Sequence, residues 1–235
     1  MCSLTTAAAN SSFFTLHKKN KLMRNWSDDY WLLILQQYLK KPVGIKPMYS
    51  RSMVDLSMEL HIHPSVLFGK MCSVANLETP LIERIWEKYS DKPQRLTRAA
   101  KLMREMKGFN NASEFFNGVE VNETFEKDFR PITEDETLTP VMLIIILDLY
   151  FRLTTITMVA ETPEVIELAR LIKHKPEQVV EVMEIFQRCD PYLNRNDVIF
   201  SHLMLPCQQI WNKYGNWDTE ELASYAKELT EYFIS

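Results

Sequence analysis

The stretch Glu164–Phe186, EVIELARLIKHKPEQVVEVMEIF, decides the fold. Leu168 and Ile172 precede a short turn, and Val179 and Val182 follow it at helical spacing. Ala169 supplies the small residue that two helices crossing at a steep angle need where they approach. Pro176 starts the second helix, where its missing N–H costs no hydrogen bond. The stretch reads as a helix-turn-helix without the glycine often found in the turn, since Lys173 stands there.

Working outward, the same pattern occurs earlier in the chain. Residues 26–80 slide onto 138–192 without a gap. Ile34 then falls on Ile146, Leu35 on Leu147, Tyr38 on Tyr150, Leu56 on Leu168, Pro64 on Pro176 and Met71 on Met183. Ser57 takes the small position of Ala169, His61 stands in the turn, and Lys70 departs from Val182. Further on, IWEKY at 85–89 reappears as IWNKY at 210–214. The alignment predicts an internal duplication.

Each copy reads as helices. WSDDYWLLILQQYLKK carries a wide apolar face at helical spacing, with Ser27 as its expected cap. Thr139-Pro140 and Thr162-Pro163 open helices in the same way, and Asp218 with Glu221 makes a capping-box pattern. VMLIIIL at 141–147 is too short to cross a membrane and reads as a buried helix. No segment alternates convincingly with period two, so little or no sheet is expected.

The predicted fold is therefore all-α: two tandem, similar helical units with helix-turn-helix-like cores. Residues 1–25 are expected as a flexible tail, 26–107 as the first unit, 108–137 as an acidic connector and 138–235 as the second unit. The connector carries Glu114, Glu120, Glu123, Glu126, Asp128, Glu134, Asp135 and Glu136 against only Lys127 and Arg130. Its phenylalanines are expected to dock on one unit, its acids to be solvated, and residues 133–137 to form the hinge.

Composition excludes several classes. With 235 residues, 46% hydrophobic and 25% charged, the chain can bury a real core. Five glycines argue against a glycine-rich nucleotide-binding fold. Four cysteines without a close pair suit a reducing compartment, and no secretory h-region precedes them; the expected location is cytoplasmic. A net charge of −4 gives no global nucleic-acid footprint, but leaves room for a local basic face.

That face is sought in the first unit. The helix after the turn offers Ser65, Lys70 and Ser73 with no acid from Pro64 to Leu77, whereas its counterpart carries Glu177, Glu181 and Glu184, which would repel phosphate. The following helix is the best electrostatic candidate: Lys92, Arg95, Arg98, Lys101, Arg104 and Lys107 recur every third residue. Steps of three drift around a 3.6-residue helix, so these cations cover the whole outer face. The candidate nucleic-acid-binding residues are Ser65, Lys70, Lys92, Arg95, Arg98, Lys101 and Arg104. The plain alternative is a solvated surface helix with cations at its C-terminal end.

The segment TPEVIELARLIKHKPEQVVEVMEIFQRCDP resembles the helical N-terminal region of bacterial HNH-type endonucleases, through LDLYFR at 147–152, Pro163, Glu164, Leu168, Ala169, Pro176 and Asp190-Pro191. The resemblance implies a DNA-associated helical module of bacterial type. It does not extend to the family's separate nuclease domain, because none of His17, His61, His63, His174 and His202 has the context of that metal site.

No catalytic, cofactor or metal motif emerges. His61 and His63 are spaced i, i+2, which does not put two ligands on one helical face. Tyr38, Tyr150, Trp86 and Trp211 are expected as core aromatics. The leading expectation is a non-enzymatic DNA-associated or regulatory protein acting through the first unit. The alternative is a helical adaptor without nucleic-acid binding, whose acidic second unit docks a protein partner. Neither reading calls for a membrane, a cofactor or a small-molecule substrate.

Overall fold

The computed structural model describes residues 26–109, 125–193 and 201–234. The expected tail at 1–25 and the acids Glu114, Glu120 and Glu123 lie outside the described residues. The protein is all-α, and among the described residues there is no strand. It divides into two compact units, one of residues 1–48 and 52–119, the other of residues 49–51 and 120–235.

The first unit contains α1 (Trp31–Leu39), α2 (Arg51–Leu60), α3 (Pro64–Ala75), α4 (Pro80–Tyr89) and α5 (Pro93–Arg104). α1 packs on α3, α4 and α5. Its side chains Leu33, Ile34 and Leu35 are buried together with Met53, Leu56, Leu60, Leu67, Met71, Leu96 and Ala100. Thr79 caps α4 by accepting from the Ile82 amide at 3.3 Å. Ser27 accepts from Asp29 N at 3.4 Å and opens a short 3-10 turn before α1.

The second unit contains α6 (Pro140–Arg152), α7 (Pro163–Ile172), α8 (Pro176–Cys189), α9 (Met204–Tyr214) and α10 (Thr219–Ile234). α6 is its axis and touches each of the other four helices. That is why VMLIIIL is apolar nearly all round: Val141 and Leu143 to Leu149 are buried. Thr139 and Asp218 cap α6 and α10 as the sequence predicts, with Asp218 Oδ1 accepting from Glu220 N at 2.9 Å and Glu221 N at 3.3 Å. Thr162 does not cap α7; its hydroxyl instead donates to Thr157 O at 2.6 Å.

The boundaries differ from the sequence reading. Residues 125–137, expected as part of a separate connector, belong to the second unit, and so do Tyr49–Arg51, from the end of the α1–α2 loop to the first residue of α2. Tyr49 stacks on Phe129 at 6.2 Å and meets Tyr225 edge-on at 6.1 Å. Two connector acids are not solvated. Glu126 is fully buried with Arg130 at 2.8 Å, and Asp128 faces Lys213 at 3.8 Å. The expected hinge at 133–137 is a hydrogen-bonded turn, in which Asp135 Oδ1 accepts from Thr137 N at 2.7 Å and Ile132 N donates to Leu138 O at 2.9 Å.

The aligned positions meet in matching local geometry. α2 and α7 span residues 112 apart at both ends, and α3 and α8 start 112 apart. His61 and Lys173, the turn residues, are both left-handed, with φ of 54° and 61°. In each turn the next amide reaches back to the small residue: Ile62 N to Ser57 O at 3.0 Å, His174 N to Ala169 O at 2.8 Å. The orphan carbonyls of a helix end are satisfied this way without glycine. Tyr38 meets Trp86 edge-on with centroids 5.8 Å apart, and Tyr150 meets Trp211 edge-on at the same 5.8 Å.

Candidate interaction surfaces

The structure gives the seven candidate residues of the first unit different surroundings. Ser65 is exposed at the start of α3, its hydroxyl 2.8 Å from His63 Nδ1. Lys70 is half-buried, its ammonium 4.6 Å above the Trp26 ring and 5.0 Å from the Trp31 ring. Arg95 sits 5.7 Å over the Tyr89 ring. Such cation–π contacts hold a charge against its own unit. Arg104 forks onto Glu59 of α2, with Nη2 at 2.9 Å from Oε2 and Nε on Oε1. That carboxylate raises the arginine's pKa further.

Three residues remain outward. Lys92 and Arg98 are exposed and have no ion pair among the described residues. Lys101 has only a loose 3.9 Å pairing with Glu105. Arg98, Lys101, Leu102 and Glu105 line one open face of α5. Leu102 is 57% exposed and Met106 61%. The surface is therefore mixed, cationic and apolar. The spacing of the cations was legible in the sequence; the exposure of Leu102 and Met106 beside them was not.

Glu126 lies buried in the second unit, so it is not among the carboxylates that could cover Arg95, Arg98 and Lys101. The histidines of the first turn are not bare solvent groups either. His63 caps α3, with Nδ1 accepting from Ser65 N at 3.2 Å, and burial lowers its pKa. No group of histidine, cysteine or carboxylate side chains among the described residues could hold a metal. No described helix is long and apolar enough to cross a membrane.

The second unit carries a feature that sequence reasoning missed. A groove of about 440 Å³ opens between α6, α7 and α10. Ile145, Leu149, Leu168 and Ala226 give it an apolar floor. Asp148, 7% exposed within the apolar run of α6, faces into it and pairs with Arg152 at 2.8 Å. Burial raises the Asp148 pKa, while Arg152 pulls it back. Glu164 and Glu167 of α7 stand exposed on one rim and Lys227 of α10 on the other. The available signal was Asp148 itself, a carboxylate inside a helix that has to be buried all round.

At the corresponding place in the first unit Arg104 pairs with Glu59. Glu59 aligns with Leu171. The buried sets Leu96, Ala100, Met103 and Leu222, Ala226, Leu229 have the same spacing, which aligns Arg104 with Thr230. An ion pair in the first unit thus becomes Leu171 and Thr230 in the second, and both line the groove.

At the other end of the second unit, phenols and a carboxylate form a buried network. Tyr214 stacks on Tyr225 at 5.9 Å. Burial pushes the Tyr214 phenol up to about 12 and raises Tyr49 and Tyr225 as well. Asp128 is raised by the same burial, with Lys213 pulling the other way. These groups stay neutral phenols at physiological pH and serve as packing.

No family model, curated protein or solved structure matches the chain.

Proposed function

We propose that the chain is a non-enzymatic helical interaction protein, built from two copies of one helical module, and that the outer face of α5 engages an acidic, partly apolar protein surface. The observation that carries this reading is the exposure of Leu102 beside Arg98 and Lys101, with Met106 exposed just past the end of α5. Arginine and methionine are enriched at protein interfaces, and exposed apolar area gains most from a partner that covers it. Phosphate contact needs neither side chain.

The nucleic-acid reading has support from Lys92 and Arg98, exposed and without an ion pair among the described residues, but few cations remain for it. Lys70, Arg95 and Arg104 are held by Trp26, Tyr89 and Glu59. Three remaining phosphate contacts would lose about 40-fold in affinity between about 50 and about 200 mM salt, whereas six to ten lose about 10³–10⁵.

Fluorescence anisotropy separates the readings. The full chain is titrated against a random duplex and against an acidic amphipathic peptide at both salt concentrations. Peptide binding that falls with Leu102→Ser and with Arg98→Glu/Lys101→Glu supports the protein interface. Duplex binding with a steep salt dependence, unaffected by Leu102→Ser, would replace it with the nucleic-acid reading.

A further inference from the structure

The groove between α6, α7 and α10 and the outer face of α5 are complementary in three respects. In charge, α5 carries Lys92, Arg95, Arg98 and Lys101 against Glu105. The groove is lined by Asp148, Glu164 and Glu167 against Arg152 and Lys227, and Arg152 is engaged by Asp148 at 2.8 Å. In apolar content, Leu102 on α5 and Met106 just past its end are exposed, and the groove floor is Ile145, Leu149 and Leu168. In spacing, Arg98 and Lys101 are three residues apart on one helix, and Glu164 and Glu167 are three apart on another. Each step is about 4.5 Å of rise.

The first unit already contains one instance of the chemistry. There Glu59 of α2 takes Arg104 of α5. At the aligned positions the second unit has Leu171 and Thr230, which line the groove without an ion pair between them.

We propose that the groove of one copy receives the α5 face of a second copy, with Arg98 and Lys101 on Glu164 and Glu167 and Leu102 over the apolar floor. The inference rests on α5 being an interaction face and names its partner. The contact is heterologous, because the two surfaces are different patches of the same chain. Such a contact leaves an open α5 face at one end and an open groove at the other, so association continues beyond a dimer unless the ring closes.

Sedimentation velocity of the full chain tests this at about 100 µM protein and low salt, conditions that reveal micromolar association. Four samples are compared: wild type, R98E/K101E, E164K/E167K, and an equimolar mixture of the two variants. All four substituted side chains are exposed, and unchanged circular dichroism and melting confirm that each variant folds. The wild type associates into dimers and larger species. Each variant alone is monomeric. The mixture associates again, since the intact α5 face of one variant meets the intact groove of the other and the two reversed surfaces are complementary to each other. A monomeric wild type, or a mixture that stays monomeric, overturns the proposal. If the monomeric wild type still binds the acidic peptide through Arg98 and Lys101, the function assigned to α5 stands and only the partner is wrong. If it binds neither, both fall.

Discussion

Arg104 holds Glu59 through two guanidinium nitrogens and so ties α5 to α2. Both side chains are about one-third exposed, at 35% and 30%. Solvent screening therefore limits the pair, and the expected coupling in a double-mutant cycle of Glu59→Gln and Arg104→Gln is about 0.5–1 kcal/mol. Urea denaturation at low and high salt measures it. A coupling indistinguishable from zero at low salt would show that α5 is held by Leu96, Ala100 and Met103 alone.

Lys173 ends α7 in the left-handed region, with φ 61° and an exposed side chain. A non-glycine residue there costs about 1–2 kcal/mol, and glycine returns about 0.5–1 kcal/mol of that as backbone entropy. Lys173→Gly is accordingly expected to stabilise the chain by up to about 1 kcal/mol, whereas Lys173→Val destabilises it. Equal midpoints for the two variants in thermal melting would contradict the strain argument.

His63 caps α3 only as a neutral acceptor, and its pKa is lowered from 6.5 by burial. The unfolded chain therefore binds the proton more readily. The cap's contribution is complete above pH 6.5, begins to fall below it, and is gone once pH passes the folded value. His63→Asn keeps a capping acceptor without titrating, so its urea midpoint should fall less between pH 7.5 and 5 than that of the wild type. His63→Ala should cost about 0.5–2 kcal/mol at neutral pH. Parallel pH curves for wild type and His63→Asn would rule out this titration.

Asp148 is a carboxylate inside an apolar helix, paired only toward the groove by Arg152. Removing one member of a buried pair is destabilising where it strands the other charge out of water, but Arg152 is 57% exposed, so Asp148→Leu removes a desolvated carboxylate and leaves the remaining charge in solvent. Asp148→Leu is expected to leave the melting temperature equal or a few degrees higher. A large destabilisation would mean that the carboxylate has buried partners on which the second unit depends.

Cys207 is completely buried on α9, and burial pushes its thiol up to about 12. Iodoacetamide at pH 8 should leave Cys207 unmodified in the native chain and label it after unfolding, as read by peptide mass spectrometry. Labelling at the rate of an exposed thiol would contradict the packing of α9 on α6 and α8.

The all-α architecture was legible in the sequence because helical periodicity runs through the chain and a proline start agrees with it at six of the ten described α-helices. Pro64, Pro80, Pro93, Pro140, Pro163 and Pro176 each open a helix. The turn at 61–63 was legible too, although its backbone conformation was not: nothing in the letters His61 or Lys173 announces a positive φ. Charge on α5 could be read from spacing. Which cations are engaged could not, because Lys70 depends on Trp26 and Trp31, and Arg104 on Glu59, 45 residues away. The groove escaped because it is a difference between aligned positions, Glu59 against Leu171 and Arg104 against Thr230. It becomes visible only when both units are seen packed. The burial of Glu126 escaped because an acidic stretch is read as solvated by its composition.

Tyr49–Arg51 run from the α1–α2 loop into the start of α2 but belong to the second unit, where Tyr49 stacks on Phe129 and Arg51 lies 5.1 Å over the Tyr232 ring. A protease cutting between residues 109 and 125 would therefore not release two intact halves. The C-terminal fragment would leave behind an aromatic plug that belongs to its own core, and each such ring contact is worth about 0.5–1.5 kcal/mol. The two fragments should behave as split-protein partners, each less stable alone and restored when mixed.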